Sequence, residues 1–215
     1  MAAPVDLGVL ISGRGSNLQA ILDAIAEDRL NARVRIVISN RDDAPGLQRA
    51  EQAGVPTLVI PHRGYPDRAS FDSALVTALR DAGASWIVLA GFMRLLTPVF
   101  LDAFPRRVIN VHPSLLPAFP GVDAQAQALA YGVKITGCSV HLVDAGMDTG
   151  PVIAQTAVPV LDDDSRDALA ARILVKEHET LVRVLGFIAD GRLEIIEPTE
   201  PPARARVRIR DGGPT

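Results

Sequence analysis

The chain has a single cysteine, Cys138, among its 215 residues. That excludes an internal disulfide and any metal site built from several thiolates, and it fits a reducing compartment. Excess positive charge is missing too. The formal net charge is −3, and the only dense basic run, Arg204 to Arg210, lies in the tail, so nucleic acid is not an expected partner. No basic segment precedes the first apolar stretch, and Val5 to Ile11 is too short for a signal-peptide core or a membrane span. These absences predict a soluble, cytoplasmic protein with no membrane partner. H-E-x-x-H is absent, since H-E-T-L-V at 178–182 lacks the second histidine, and no other Asp/His spacing repeats; no metal site is expected. There is no G-x-S-x-G elbow, which disfavours covalent serine catalysis. No internal repeat or long linker interrupts the chain.

What is present is apolar. At 48% hydrophobic residues the chain can bury a sizeable core, as one domain or as two closely packed lobes. Through the first half, short apolar strands alternate with amphipathic helices, the pattern of βαβ units and a parallel sheet. Strands are predicted at 5–11, 34–39, 57–60, 86–90 and 108–112, and helices at 17–28, 45–53 and 69–82, with Gly54 and Gly83 as C-terminal stops. In the second half, 135–143 and 152–158 read as strands joined by the Gly- and Asp-rich loop D-A-G-M-D-T-G-P, which predicts an antiparallel pair. One long helix is predicted over 166–190, with Ser165 as its N-cap and three preceding aspartates favourable beside the positive helix end. Cys138 lies in an apolar strand and reads as core packing. The alternation R-A-R-V-R-I-R at 204–210 describes either an edge strand with Ala205, Val207 and Ile209 on one face, or a solvated tail.

The residues that carry chemistry begin at V-I-N-V-H-P-S-L-L-P, 108–117, a short strand stopped by Pro113. Alternation puts Asn110 and His112 on one face, roughly 7 Å apart along it. An amide that can hold a developing oxyanion beside an imidazole that can move a proton suits acyl-group chemistry. Taken alone, N-x-H reads as plain polar punctuation at a strand end.

Three further segments bear on it. S-G-R-G-S-N at 12–17 joins the first strand to the first helix, where glycine allows close approach and free helix N–H groups with Ser16 and Asn17 can bind an anion. It lacks the third glycine of a dinucleotide fingerprint, and Ser39-Asn40-Arg41 stands where an acidic residue should end the second strand. A single phosphate is favoured over a dinucleotide; a plain Gly-rich turn with a Ser/Asn cap is the alternative. A-G-F-M-R-L-L at 90–96 is an apolar loop that either lines a pocket for a flat heterocycle or closes over core. In an open α/β sheet these loops meet 110–112 at the carboxyl edge, where ligands bind. The loop 144–150 supplies Asp144 and Asp148. A carboxylate beside His112 would favour its charged form and orient its ring, while an Asp in a D-T-G turn is otherwise an Asx-type cap; spacing does not choose.

With these residues in hand, the chain resembles the phosphoribosylglycinamide formyltransferase family, folate-dependent enzymes of purine synthesis. The resemblance runs from about Val5 to Ile196 and rests on I-S-G-R-G-S-N-L-Q-A, S-N-R-D-D-A-P-G-L-Q-R-A, L-A-G-F-M-R-L-L, N-V-H-P-S-L-L-P and G-C-S-V-H-L-V-D-A-G-M-D-T-G-P-V-I. It implies a formyltransferase-type, Rossmann-like α/β fold: an open twisted sheet, parallel in the N-terminal half, with antiparallel strands in the C-terminal half. Residues 1–197 would be one formyltransferase domain, with a phosphate-binding N-terminal half and a folate-binding, catalytic C-terminal half, and 198–215 a Pro/Arg-rich tail. The implied reaction carries a formyl group from the cosubstrate 10-formyltetrahydrofolate to the amine of glycinamide ribonucleotide, through a tetrahedral intermediate and without metal. By the family pattern Gly15, Ser16 and Asn17 hold the substrate phosphate, and Glu177 binds the ribose hydroxyls. The folate would lie against Met93, Arg94, Leu95 and Leu96, with Arg68 toward its glutamate tail. Asn110 and the loop of Asp144, Ala145, Gly146, Met147 and Asp148 would complete that site. Asn110, His112 and Asp148 would form the catalytic group. Glu177 reads otherwise as a solvated helix charge, and Arg68 as a surface arginine.

The sequence departs from common relatives after S-L-L-P, where A-F-P-G-V-D-A-Q-A-Q puts Ala118 in place of a basic residue and Asp123 to Gln125 in place of a histidine-containing stretch. Two other formyl-folate enzymes share the N-x-H and late Asp: methionyl-tRNA formyltransferase, which adds a tRNA-binding domain, and formyltetrahydrofolate hydrolase, which adds a regulatory one. The chain has room for neither addition. A catalytically silent nucleotide-binding module is the remaining alternative. The expected partners are small molecules, and the expected assembly is a monomer or homodimer.

Overall fold

The computed structural model describes residues 3–198 and 204–212. Of the tail 198–215, residues 199–203 and 213–215 lie outside the described residues. The chain divides into two compact units, Met1–Asn110 and Val111–Thr215.

In the first unit strands and helices alternate as β1 (Val5–Ile11), α1 (Ser16–Ala26), β2 (Ala32–Ser39), α2 (Gly46–Gln52), β3 (Thr57–Val59), α3 (Arg68–Asp81), β4 (Trp86–Leu89), α4 (Pro98–Ala103) and β5 (Val108–His112), the last running across the division between units. The β-branched and leucine runs of β1, β2 and β4 pair in parallel, with Leu10 beside Leu89 and Leu89 beside Asn110, so the carboxyl ends of β1, β4 and β5 share one level. Buried on both sides, such strands are continuously apolar; Leu7, Val9, Leu10, Ile87 and Val88 are fully enclosed. The predicted helix stops are real. Gly54 and Gly83 take left-handed φ of 69° and 75°, and the following amides, Val55 and Ala84, reach back to Ala50 and Leu79 carbonyls at 2.9 and 3.0 Å. α4 was not predicted: six residues opening on Pro98 carry too little period to read. Its start is fixed instead by buried Asp72 on α3, whose Oδ2 accepts from Thr97 N and Oγ1 at 2.6 and 2.7 Å.

The second unit carries α5 (Ala124–Tyr131), β6 (Ile135–Leu142), β7 (Val152–Pro159), α6 (Arg166–Ala189), β8 (Leu193–Ile196) and β9 (Arg206–Ile209). β6 and β7 are antiparallel, and their register slips between Val140 and His141. Such a slip re-aims the side chains beside it. Ser165 caps α6 by accepting from Ala168 N at 3.1 Å, and Asp164 pairs with Arg172 at 2.7 Å. Cys138 is fully buried with Val158, Leu169 and Ile173; burial pushes its thiol pKa up. In the tail, β9 pairs antiparallel with β8, a strand sequence reading did not mark, and turns half-buried Ala205, Val207 and Ile209 one way and exposed arginines the other.

The seven strands β1 to β7 form one sheet in the order β3-β2-β1-β4-β5-β6-β7, parallel in the N-terminal half and antiparallel at β6–β7. Among the described residues no helix is long and apolar enough to cross a membrane.

Candidate active site

In the first unit, β1 ends directly into the glycine loop. Gly15 has φ 69° and passes so close to α2 that a Cβ there would lie 2.7 Å from Gly46 Cα. Only glycine fits that approach without displacing backbone. The loop is clamped from α2: Gly46 N donates to Gly13 O at 3.0 Å, and Arg49 donates to Arg14 O at 2.9 Å and to Gln19 Oε1 at 3.0 Å. Ser16 opens α1, and Asn17 beside it is buried. This is a preformed helix start with its first amides gathered, the geometry that suits an anion. At the same edge, Met93 and Leu95 are 75% and 50% exposed, with Arg94 and Leu96 half-buried between and beyond them. Large apolar side chains held into solvent close together on one loop offer an apolar surface to a ligand. Arg68 is exposed at the first residue of α3. Asn110 is half-buried on β5, level with the end of β4.

In the second unit His112, 4% exposed, ends β5. Its Nδ1 lies 3.4 Å from Asp148 Oδ2, an ion-pair separation, and its Nε2 donates to Phe119 O at 2.8 Å. Both ring nitrogens face acceptors, which suits the doubly protonated ring. Asp148 has φ 55° and receives more than His112: Gly121 N donates to Oδ2 at 2.8 Å, and His141 Nε2 stands 3.7 Å from Oδ1. Burial by itself would raise this carboxyl. The approach of His141 and the hydrogen bond from Gly121 N, with the charge of both imidazoles, outweigh it and hold Asp148 below the ordinary carboxylate range. Asp144 acts differently. Its Oδ1 accepts from Gly146 N at 3.1 Å and Thr149 Oγ1 at 2.6 Å, bracing the loop, while Ala145, Gly146 and Met147 are exposed on it. Glu177 lies on the buried stripe of α6, 8% exposed, and is not a solvated helix charge. The departing residue Asp123 has φ 56° before α5 and pairs with Arg166 at 2.8 Å. Among the described residues no group of three or more His, Cys, Asp or Glu could hold a metal ion.

A model of the formyl transferase family matches residues 6–185 of the chain. The chain belongs to the formyl transferase family. It is 44% identical over 193 residues to phosphoribosylglycinamide formyltransferase of Escherichia coli K12, covering 90% of this chain and 91% of that protein. It is 48% identical over 187 residues to the trifunctional purine biosynthetic protein adenosine-3 of Drosophila melanogaster, covering 86% of this chain but spanning only 14% of that much longer protein. The crystal structure of glycinamide ribonucleotide transformylase 1 from Symbiobacterium toebii superposes with a TM-score of 0.92 at 50% identity, over 98% of this chain and 96% of that one.

In this formyl transferase, sequence reasoning passed over His141. It lies two residues past Ser139 in the strand G-C-S-V-H-L-V, and the register slip at Val140/His141 aims it at Asp148. The Leu142 carbonyl, 2.9 Å away, can only accept, so His141 Nδ1 carries a proton. A second histidine within three residues of a D-x-x-x-D loop was the available signal. Phe119 O and Gly121 N could not have been found, because backbone groups leave no mark in a residue pattern.

Proposed function

We propose that the chain is a phosphoribosylglycinamide formyltransferase, carrying the formyl group of 10-formyltetrahydrofolate to the amine of glycinamide ribonucleotide in purine synthesis. The observation that carries the reading is the enclosed His112–Asp148 pair, 3.4 Å apart from positions 36 residues distant, in a chain of this family. The clamped glycine loop with Asn17 supports a phosphate-bearing substrate, and the exposed Met93 to Leu96 loop supports a flat heterocycle. In this reading 1–197 act as one formyltransferase domain, working in the cytoplasm on small molecules as a monomer or homodimer.

The amine nitrogen attacks the formyl carbon, and the carbonyl electron pair moves onto oxygen. Asn110 and charged His112 hold that oxyanion. His112 Nδ1 is committed to Asp148, so the donor offered to substrate is Nε2, whose present acceptor is Phe119 O at 2.8 Å. The 118–121 segment therefore yields that position to the formyl oxygen. A proton leaves the attacking amine and reaches the folate nitrogen as its bond to carbon breaks, giving tetrahydrofolate and the formylated nucleotide. Asp148, held ionised, stays opposite His112 Nδ1 through these steps and orients the ring. Incubating the protein with both substrates and following folate absorbance tests the reading; turnover dependent on glycinamide ribonucleotide is expected. Formyl-folate consumption without the nucleotide would favour a hydrolase.

A further inference from the structure

Side chains to which the chemistry above gives no role join the two loops at the carboxyl edge of the first unit. Ser12, immediately before Gly13, donates its backbone N–H to Gly91 O at 3.1 Å. Its hydroxyl accepts from Met93 N at 3.0 Å and donates to Asn40 Oδ1 at 2.7 Å. Asn40, 5% exposed at the end of β2, passes the donation on from Nδ2 to His62 Nδ1 at 3.3 Å. The direction of this chain follows from its first member. A backbone N–H can only donate, so the Ser12 oxygen accepts from Met93 and its one proton goes to Asn40; the amide then turns its NH2 toward His62, which accepts on an unprotonated Nδ1.

The segment hung on this chain is Met93 to Leu96. At its far end Thr97 is fixed on the Asp72 carboxylate by two short hydrogen bonds, 2.6 and 2.7 Å. At its near end the side-chain anchor is the Ser12 hydroxyl. Between them stand the exposed Met93 and Leu95 side chains, 75% and 50% open to solvent, which burial in the protein fixes only in part. Hydrogen bonds to side chains hold the segment at its two ends. Asp72 is buried on α3, and the Ser12 oxygen accepts from Met93 N while its proton goes to Asn40.

We propose that Ser12 is the positioning residue of the folate loop, acting through the Met93 amide, with Asn40 as the group that orients its hydroxyl. The proposal rests on the reading that Met93 to Leu96 hold the formyl folate. It is tested on the intact chain with Ser12→Ala, Ser12→Thr, Asn40→Ala and the double variant Ser12→Ala/Asn40→Ala, by amide hydrogen exchange at Met93 and by steady-state kinetics with both substrates. In the substrate-free protein the Met93 amide should be protected in wild type and in Ser12→Thr, which keeps the hydroxyl, and should exchange faster in Ser12→Ala. Ser12→Ala should raise the KM for 10-formyltetrahydrofolate about fivefold, the scale of the net contribution of one solvent-exposed hydrogen bond, and the nucleotide KM should stay within about twofold. Asn40→Ala should raise the same constant, and the double variant should be no worse than Ser12→Ala, because members of one chain are not additive. Equal Met93 exchange in wild type and Ser12→Ala, equal rises in both KM values, or additive losses would overturn it. If wild type fails to turn over these substrates, the transferase reading falls, and the exchange comparison still decides the anchor.

Discussion

Replacing Asp148 by Asn keeps the side-chain volume and removes the carboxylate charge that both imidazoles face, and the surrounding donors dictate how the amide must lie. Gly121 N and His112 Nδ1 both point at the Oδ2 position, at 2.8 and 3.4 Å, so the amide oxygen must stay there and its NH2 must turn to His141 Nε2. The opposite orientation would set NH2 against a backbone N–H. A neutral His141, protonated on Nδ1 toward Leu142 O, accepts from that NH2. The amide oxygen therefore still accepts from Gly121 N, and folding should survive. What it loses is the attraction that favours charged His112: at 3.4 Å and an effective dielectric of about 20, a unit pair gains roughly 5 kcal/mol before desolvation. Most of that is spent removing both groups from water, and about 1.5–3 kcal/mol is the usual net for a hydrogen bond to a charged group. The expected fall in kcat is between roughly tenfold and 150-fold. KM values should change less than kcat, because Asp148 Oδ2 faces the imidazole. The pH profile should change with a defined sign. Asp148 titrates below the ordinary range, so wild type keeps this charge at pH values below about 4 and loses it only as pH falls through the depressed pKa; in Asp148→Asn that acid limb is absent. Stopped-time assays of folate absorbance across pH measure both effects. Wild-type kcat with an unaltered profile would refute the reasoning, leaving His112 and Asp148 as a structural pair.

Removing the imbedded imidazole itself is harsher: His112→Ala should lower kcat by roughly a hundredfold to ten-thousandfold, the range for a lost general acid or base, with the circular dichroism spectrum retained. Glu177→Ala should raise the nucleotide KM and leave folate affinity alone, since ribose hydroxyls lie away from the reacting carbon; an unchanged nucleotide KM would show that Glu177 serves only the core stripe of α6. Gly15→Ala forces a left-handed residue and a Cβ 2.7 Å from Gly46 Cα, so calorimetric binding of glycinamide ribonucleotide should weaken while NAD remains without effect on either protein. Asp164 is held at about 2 by hydrogen bonds from Arg172 and Leu161 N–H. A depressed carboxyl stabilises fully above its unfolded value of 3.8 and ceases to as pH falls toward 2. Arg172→Ala should accordingly lower the melting temperature at neutral pH and converge with wild type in acid.

Local elements of this protein were legible because their causes are local. β1 is found over the residues read as a strand, and Ser165 caps α6, because an apolar run and a hydroxyl before a helix act within a few positions. Gly54 and Gly83 end their helices for the same reason: only glycine takes that backbone at little cost. α4, α5 and β8 escaped notice; they are short, and α5, A-Q-A-Q-A-L-A-Y, carries no apolar period to read. The site divides along the same line. Asn110 and His112 share a strand face, so alternation alone sets them side by side. Whether Asp144 or Asp148 approaches His112 was open in the sequence, since both lie in one turn-rich loop. The fold separates them: Asp144 is consumed bracing Gly146 and Thr149, while Asp148, at a left-handed φ of 55°, turns its carboxylate to His112, His141 and the Gly121 amide. Those partners come from β5, β6 and the 118–121 segment, distances along the chain over which no residue pattern acts, and one of them is a backbone N–H that every sequence contains. Composition and periodicity determined which side chains were available for chemistry, and tertiary packing alone determined which of them meet.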